Sequence, residues 1–207
     1  MTISLIIQGR SAYLSADIQN VLKDQSRKVA TAPSGLNWVA RTNVPHSDDP
    51  EMQRLLEHRR KEYKFGLEDP APKEVNASHQ LDQSLLNLSG HILLIDSFNL
   101  HISNTWLRNN SRPYEETAAL LRREAQDVGE AIRLLETSRS FTHIVVLTSE
   151  VQTDFNVSSP DLAQYAEYIA EANGALISYL QDSGLSPDIY IAGTVLPRLS
   201  STKDEYL

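Results

Sequence analysis

The chain has 207 residues, a net charge of −8, no cysteine and eight glycines. That length suits one domain, and 41% apolar with 22% charged residues excludes wholesale disorder. The acidic balance argues against nucleic-acid binding, the lack of cysteine excludes disulfides and thiolate chemistry, and no apolar run reaches the ~20 residues of a membrane span.

The opening MTISLIIQGR has no basic leader region and too short an apolar core for a signal peptide. This reads as a cytoplasmic protein. Ile3 to Ile7 forms the first predicted strand, and Ser15 is a plausible cap for a helix with Ile18, Val21 and Leu22 on one face. A weak strand follows at Lys28 to Thr31. Residues 33–49 read as a long loop, then a helix runs from about Asp49 to Tyr63, with Pro50 in its first turn. Residues 64–77 read as a second long loop, of the kind that is often functional or mobile.

From Ser78 a short helix stacks Leu81, Leu85 and Leu88. His91 to Ile95 is a strand ending at Asp96. A long helix from Tyr114 to Glu136 carries Leu121, Ala125, Val128, Ile132 and Leu135 on one stripe. The strand His143 to Leu147 leads into Thr148, Ser149 and Glu150. A last helix opens on Ser159 and Pro160 with the stripe Leu162, Ala166, Ile169, Asn173, Leu176 and Leu180, and Asp188 to Ala192 is the final strand. Near-continuous apolar strands alternating with helices predict a single α/β domain over 1–207, a parallel sheet sandwiched by helices.

Several stretches have the residue types of chemistry. Gly9, Arg10 and Ser11 follow the first strand, where backbone N–H groups at a helix start could hold phosphate. No Gly-Lys-Ser continues the loop, so a plain strand-to-helix turn fits as well. Asp96, at a strand end, is either an acid that orients Mg²⁺ or a cap of the next segment. His58, Arg59 and Arg60 combine a possible phosphorus nucleophile with two phosphate-binding cations, or are cations favoured by a helix C-terminus. Glu150 falls on the same predicted sheet edge as Asp96, as a metal or base contact or as a solvated loop charge. Asn173, in an apolar stripe, requires partners, across the core or at a subunit interface. The histidines show no zinc-ligand spacing.

In order, these pieces resemble the adenosylcobinamide kinase / adenosylcobinamide-phosphate guanylyltransferase family of cobalamin assembly. The resemblance rests on Asp49-Pro50-Glu51-Met52 with His58 six residues on, on Leu94-Ile95-Asp96 and the segment to Asn104, on Thr148-Ser149-Glu150-Val151, on Asn173, and on Ala192-Gly193-Thr194-Val195-Leu196-Pro197. It implies a phosphate-loop fold related to the RecA-like proteins and assembly as a homo-oligomeric trimer. It also implies that His58 takes GMP from GTP as a phosphoramidate, with Asp96 near Mg²⁺. Gly9, Arg10, Ser11, Arg59, Arg60, Glu68, Glu150 and Asn173 would lie around the nucleotide, GTP or ATP, and a corrinoid would be the acceptor. The sequence departs from the family where Ala12-Tyr13-Leu14 replaces Gly-Lys-Ser and Gln152 replaces the glycine after Val151. Tyr63, Phe65 and Glu68 keep only loosely the aromatic and acidic stretch after the histidine.

Two functions therefore stand open. One is a divergent nucleotidyl or phosphoryl transferase in which Arg59 or Arg60 replaces the lost lysine. The other is a non-catalytic relative that binds a partner protein as a scaffold, assembly factor or regulatory subunit.

Overall fold

The computed structural model describes residues 1–8, 36–41, 73–76, 80–149, 160–191 and 194–195. The strands are β1 (Thr2–Gln8), β2 (Leu36–Arg41), β3 (Lys73–Asn76), β4 (Ile92–Asp96), β5 (His143–Ser149), β6 (Asp188–Ile191) and β7 (Thr194–Val195). The helices are α1 (Leu81–Leu86), α2 (Phe98–Asn109), α3 (Tyr114–Thr137) and α4 (Pro160–Asp182). Among the described residues the strands form one sheet in the order β3-β2-β4-β5-β1-β6-β7. All pairings are parallel except β6 with β7, which is antiparallel.

The chain is an α/β protein. Connections β3 to β4, β4 to β5 and β5 to β6 all advance in the same direction across the sheet. Right-handed crossovers therefore place their helices on one face. The contacts agree: α3 packs against α1, α2 and α4. Ile3, Leu5 and Ile7, Leu93 and Ile95, and Ile144 and Val146 meet the buried stripes of those helices in one core. The alternate residues Ile6, Ile92, Leu94, Val145 and Leu147 are buried as well. Burial on both faces is why these strands read as continuous apolar runs.

The stripe Leu121, Ala125, Val128, Ile132 and Leu135 is fully buried, as are Ala166, Ile169, Leu176 and Leu180. Gly129 lies where α3 meets α4. A Cβ there would stand 2.7 Å from Tyr179 Cδ1, so the helix accepts the ~1 kcal/mol propensity penalty of glycine in exchange for close approach. The Tyr179 hydroxyl donates to Glu130 Oε2 at 2.6 Å, and Arg133 Nη2 donates to Glu130 Oε1 at 2.6 Å. Arg133 first, then Tyr179, holds the Glu130 carboxyl down at about 2.

Two expectations need correction. The supposed loop at 33–49 contains β2, and the one at 64–77 contains β3. Leu36, Trp38 and Ala40 fall on alternate positions as in a strand, but Val39 between them breaks the apolar–polar contrast, and polar and proline-containing flanks hide so short a run. The β3 sequence KEVN has one apolar residue, and among the described strands it pairs only with β2, so it needs little apolar surface. Sequence periodicity also misses α2, because its buried face includes His101, Asn104 and Thr105. The short helix expected from Ser78 starts at Leu81, and Leu81, Leu85 and Leu88 are buried as expected. The expected helices near Ser15 and at 49–63, and the strand at 28–31, lie outside the described residues.

Helices α3 and α4 end in the same hydrogen-bond pattern with different residues. Arg139 N–H donates to Glu136 O at 2.9 Å and Ser140 N–H to Leu135 O at 3.0 Å, with Arg139 at φ 53°. Gly184 N–H donates to Gln181 O and Leu185 N–H to Leu180 O, both at 2.9 Å, with Gly184 at φ 79°. This left-handed cap favours glycine, since a Cβ there costs roughly 1–2 kcal/mol. Arg139→Gly should therefore stabilise the chain by about 1 kcal/mol, raising the melting temperature by ~2–4 °C. Gly184→Ala should lower it by a similar amount, and calorimetry showing no difference between the two variants would contradict this account.

Candidate functional site

Parallel strands carry their C-terminal ends to one edge, where ligands of open α/β sheets bind. At this edge Gln8 of β1 pairs with Ser149 of β5, and Arg41 of β2 pairs with Asp96 of β4. The order β2-β4-β5-β1 thus lines up the chain positions that precede Gly9 and Glu150 with Asp96.

Asp96 is only 3% exposed. Ser97, not Asp96, occupies the N-cap position of α2. Its backbone carbonyl accepts the Leu100 N–H at 2.8 Å. Its hydroxyl does not cap the helix, but donates to Asp96 Oδ1 at 2.9 Å. Ser97 also lies in the left-handed region, at φ 67° and ψ 61°, which non-glycine residues adopt uncommonly.

Asn173 lies on α4 and is buried, and its side-chain Oδ1 accepts the Thr148 hydroxyl at 2.8 Å. This is the hydrogen bond across the core that a buried amide requires. Ile95 pairs with Val146, and both belong to the core beneath the helices. Strand alternation therefore places Thr148 on that same face and Asp96 on the opposite one. Asp96 and Asn173 share a sheet edge but stand on different faces. The other candidates, Gly9, Arg10, Ser11, His58, Arg59, Arg60, Glu68 and Glu150, lie outside the described residues.

Sequence reasoning had no signal for Ser97, whose interest comes from backbone conformation, nor for two buried histidine contacts. His143 Nε2 lies 3.2 Å from Ser4 Oγ, but Ser4 is 0% and His143 1% exposed. That closure rules out this Ser–His pair as a nucleophilic dyad in the described conformation. His101 Nε2, on α2, stands 3.2 Å from Glu124 Oε2 on α3. His101 holds the Glu124 carboxyl below its ordinary 4.5, aided by Arg108 and Arg123 and opposed by burial. A carboxyl lowered by folding stabilises the fold above its unfolded value and loses that contribution as pH falls through its folded value. Stability of the wild type should therefore fall below about pH 4.5 more steeply than that of Glu124→Gln. Urea unfolding across pH 2–6 tests this, and parallel curves would refute it.

Among the described residues no group of three or more His, Asp or Glu side chains could hold a metal ion by itself. Mg²⁺ bound with a nucleotide needs only one or two carboxylates, the remaining oxygens coming from phosphates and water. A buried carboxylate is a hard-oxygen donor of that kind, so Asp96 fits the ion. No helix among the described residues is long and apolar enough to cross a membrane.

No family model matches the chain, and no curated protein matches it either.

Proposed function

We propose that the chain binds a nucleoside triphosphate with Mg²⁺ at the C-terminal edge of β1, β4 and β5, as a divergent relative of the adenosylcobinamide kinase / guanylyltransferase family. On this reading its α/β sheet is a phosphate-loop fold related to the RecA-like proteins. The observation that carries the reading is Asp96, a buried carboxylate at the C-terminal end of a central parallel strand. An acid at such a position orients Mg²⁺ or its water in nucleoside triphosphatases.

His58 is the proposed nucleophile. Its neutral imidazole nitrogen attacks the α-phosphorus of GTP, forming a phosphorus–nitrogen bond as the bond to the pyrophosphate oxygen breaks. Pyrophosphate departs, and the ring proton passes to solvent. The guanylyl group then moves to the phosphate of a corrinoid acceptor, which regenerates the imidazole. Arg59 and Arg60 stand in for the lysine charge lost in the first loop, where Ala12-Tyr13-Leu14 offers neither a lysine nor a serine in the phosphate-loop register. Mg²⁺, when bound, neutralises charge on the departing phosphates. Kinase-type transfer, which depends most on the missing lysine and serine, is the activity this sequence impairs.

Incubation with GTP labelled at the α-phosphate and Mg²⁺ should leave acid-labile label on the denatured protein, and His58→Ala should abolish it. Absence of label, together with no rise in melting temperature on adding Mg²⁺ and GTP, would overturn the proposal, because a ligand of the folded state must stabilise it. The non-catalytic, partner-binding reading would then stand in its place.

A further inference from the structure

We infer that Ser97 is a positioning residue that holds the Asp96 carboxylate for a magnesium-bound triphosphate. The inference rests on the reading of the edge given above and adds a residue to it. Two features of Ser97 are unfavourable for the fold taken alone. A side chain in the left-handed region is strained where glycine would not be. A serine at an N-cap ordinarily bonds an N–H of the first turn, but no such side-chain bond is made here.

Both features are accounted for by the contact with Asp96. The left-handed turn carries the chain from β4 into α2, and the hydroxyl donates back to Asp96 Oδ1 at 2.9 Å. Rotation about the Cβ–Cγ bond is the softest torsion of an aspartate. A hydroxyl on one oxygen restricts that rotation and so helps to fix the orientation of the carboxylate. Asp96 and Ser97 are 3% and 8% exposed, and burial strengthens such a bond relative to its value in water. Glycine would make the same turn without strain but could not orient the carboxylate. Strained residues that persist in a well-packed setting are concentrated at functional sites.

The test uses the full chain and the variants Ser97→Ala and Ser97→Gly. Both lose the hydroxyl, but only alanine keeps a Cβ in the left-handed region. Without ligand, Ser97→Gly should melt above Ser97→Ala by ~2–4 °C. The magnesium concentration that half-saturates binding of GTP should rise about 10–100-fold in both variants, the usual effect of removing a group that orients a metal ligand. GTP binding in EDTA should be unchanged. If the magnesium requirement of Ser97→Gly equals that of the wild type, or follows melting temperature from one variant to the other, Ser97 serves the fold alone and the inference fails. If the wild type itself shows no response to Mg²⁺ and GTP, the nucleotide reading of the edge fails, and the positioning role with it.

Discussion

Replacing Asp96 by asparagine is expected to abolish stabilisation by Mg²⁺ and GTP while leaving the fold intact. Asparagine has nearly the same shape, and its side-chain oxygen can still accept the Ser97 hydroxyl that now reaches Asp96 Oδ1 at 2.9 Å. The main change is the loss of the negative charge. Removing a buried carboxylate that serves a ligand should leave the unliganded chain within about 1 kcal/mol of the wild type, or more stable, because functional groups are often held against the interest of stability. A ligand at 100 times its Kd stabilises a folded protein by about 2.7 kcal/mol. For a chain of this size that is a melting shift of ~5–10 °C. The wild type should show that shift and Asp96→Asn should not. An equal shift in both proteins would remove Asp96 from the site, whatever else binds there.

The second large effect concerns what holds Asp96 in place. Phe98 follows Ser97 at the start of α2 and is 0% exposed in the core, where its ring centroid lies 6.3 Å from that of His101. Truncation to alanine leaves a cavity between α2 and the sheet. Phe98→Ala should cost about 3–5 kcal/mol, a large part of the 5–15 kcal/mol that typically separates folded and unfolded states. In urea titration the midpoint should fall with an unchanged slope, since the surface exposed by unfolding is nearly the same. A loss under about 1 kcal/mol would mean that α2 is not packed as described.

These two residues also show how the sequence could and could not be read. Asp96 was legible because a run of apolar residues ends on a lone carboxylate, and parallel strands place such ends at one edge. Phe98 and the helix it begins were not legible. Residues His101, Asn104 and Thr105 are buried in α2, so the contrast between faces that reveals an amphipathic helix is weak there. The bond from Thr148 to Asn173 lay between these cases: a buried amide in an apolar stripe demanded a partner, but only the crossover from β5 to α4 determined which residue supplied it.

The strand-and-helix alternation, the buried stripes of α3 and α4 and the acid at the end of β4 are all readable from the amino-acid order. Each follows from local periodicity, which the chain carries without reference to distant residues. The tertiary structure decided the strand order, the addition of β2 and β3 to the sheet and the placing of Asp96 and Asn173 on opposite faces of one edge. It also decided the left-handed conformation of Ser97. Strand order and register come from pairing between segments far apart in the chain, and a one-residue step reverses the face of every side chain. That is why the residue types of the candidate site could be seen early, while which of them share a face could not.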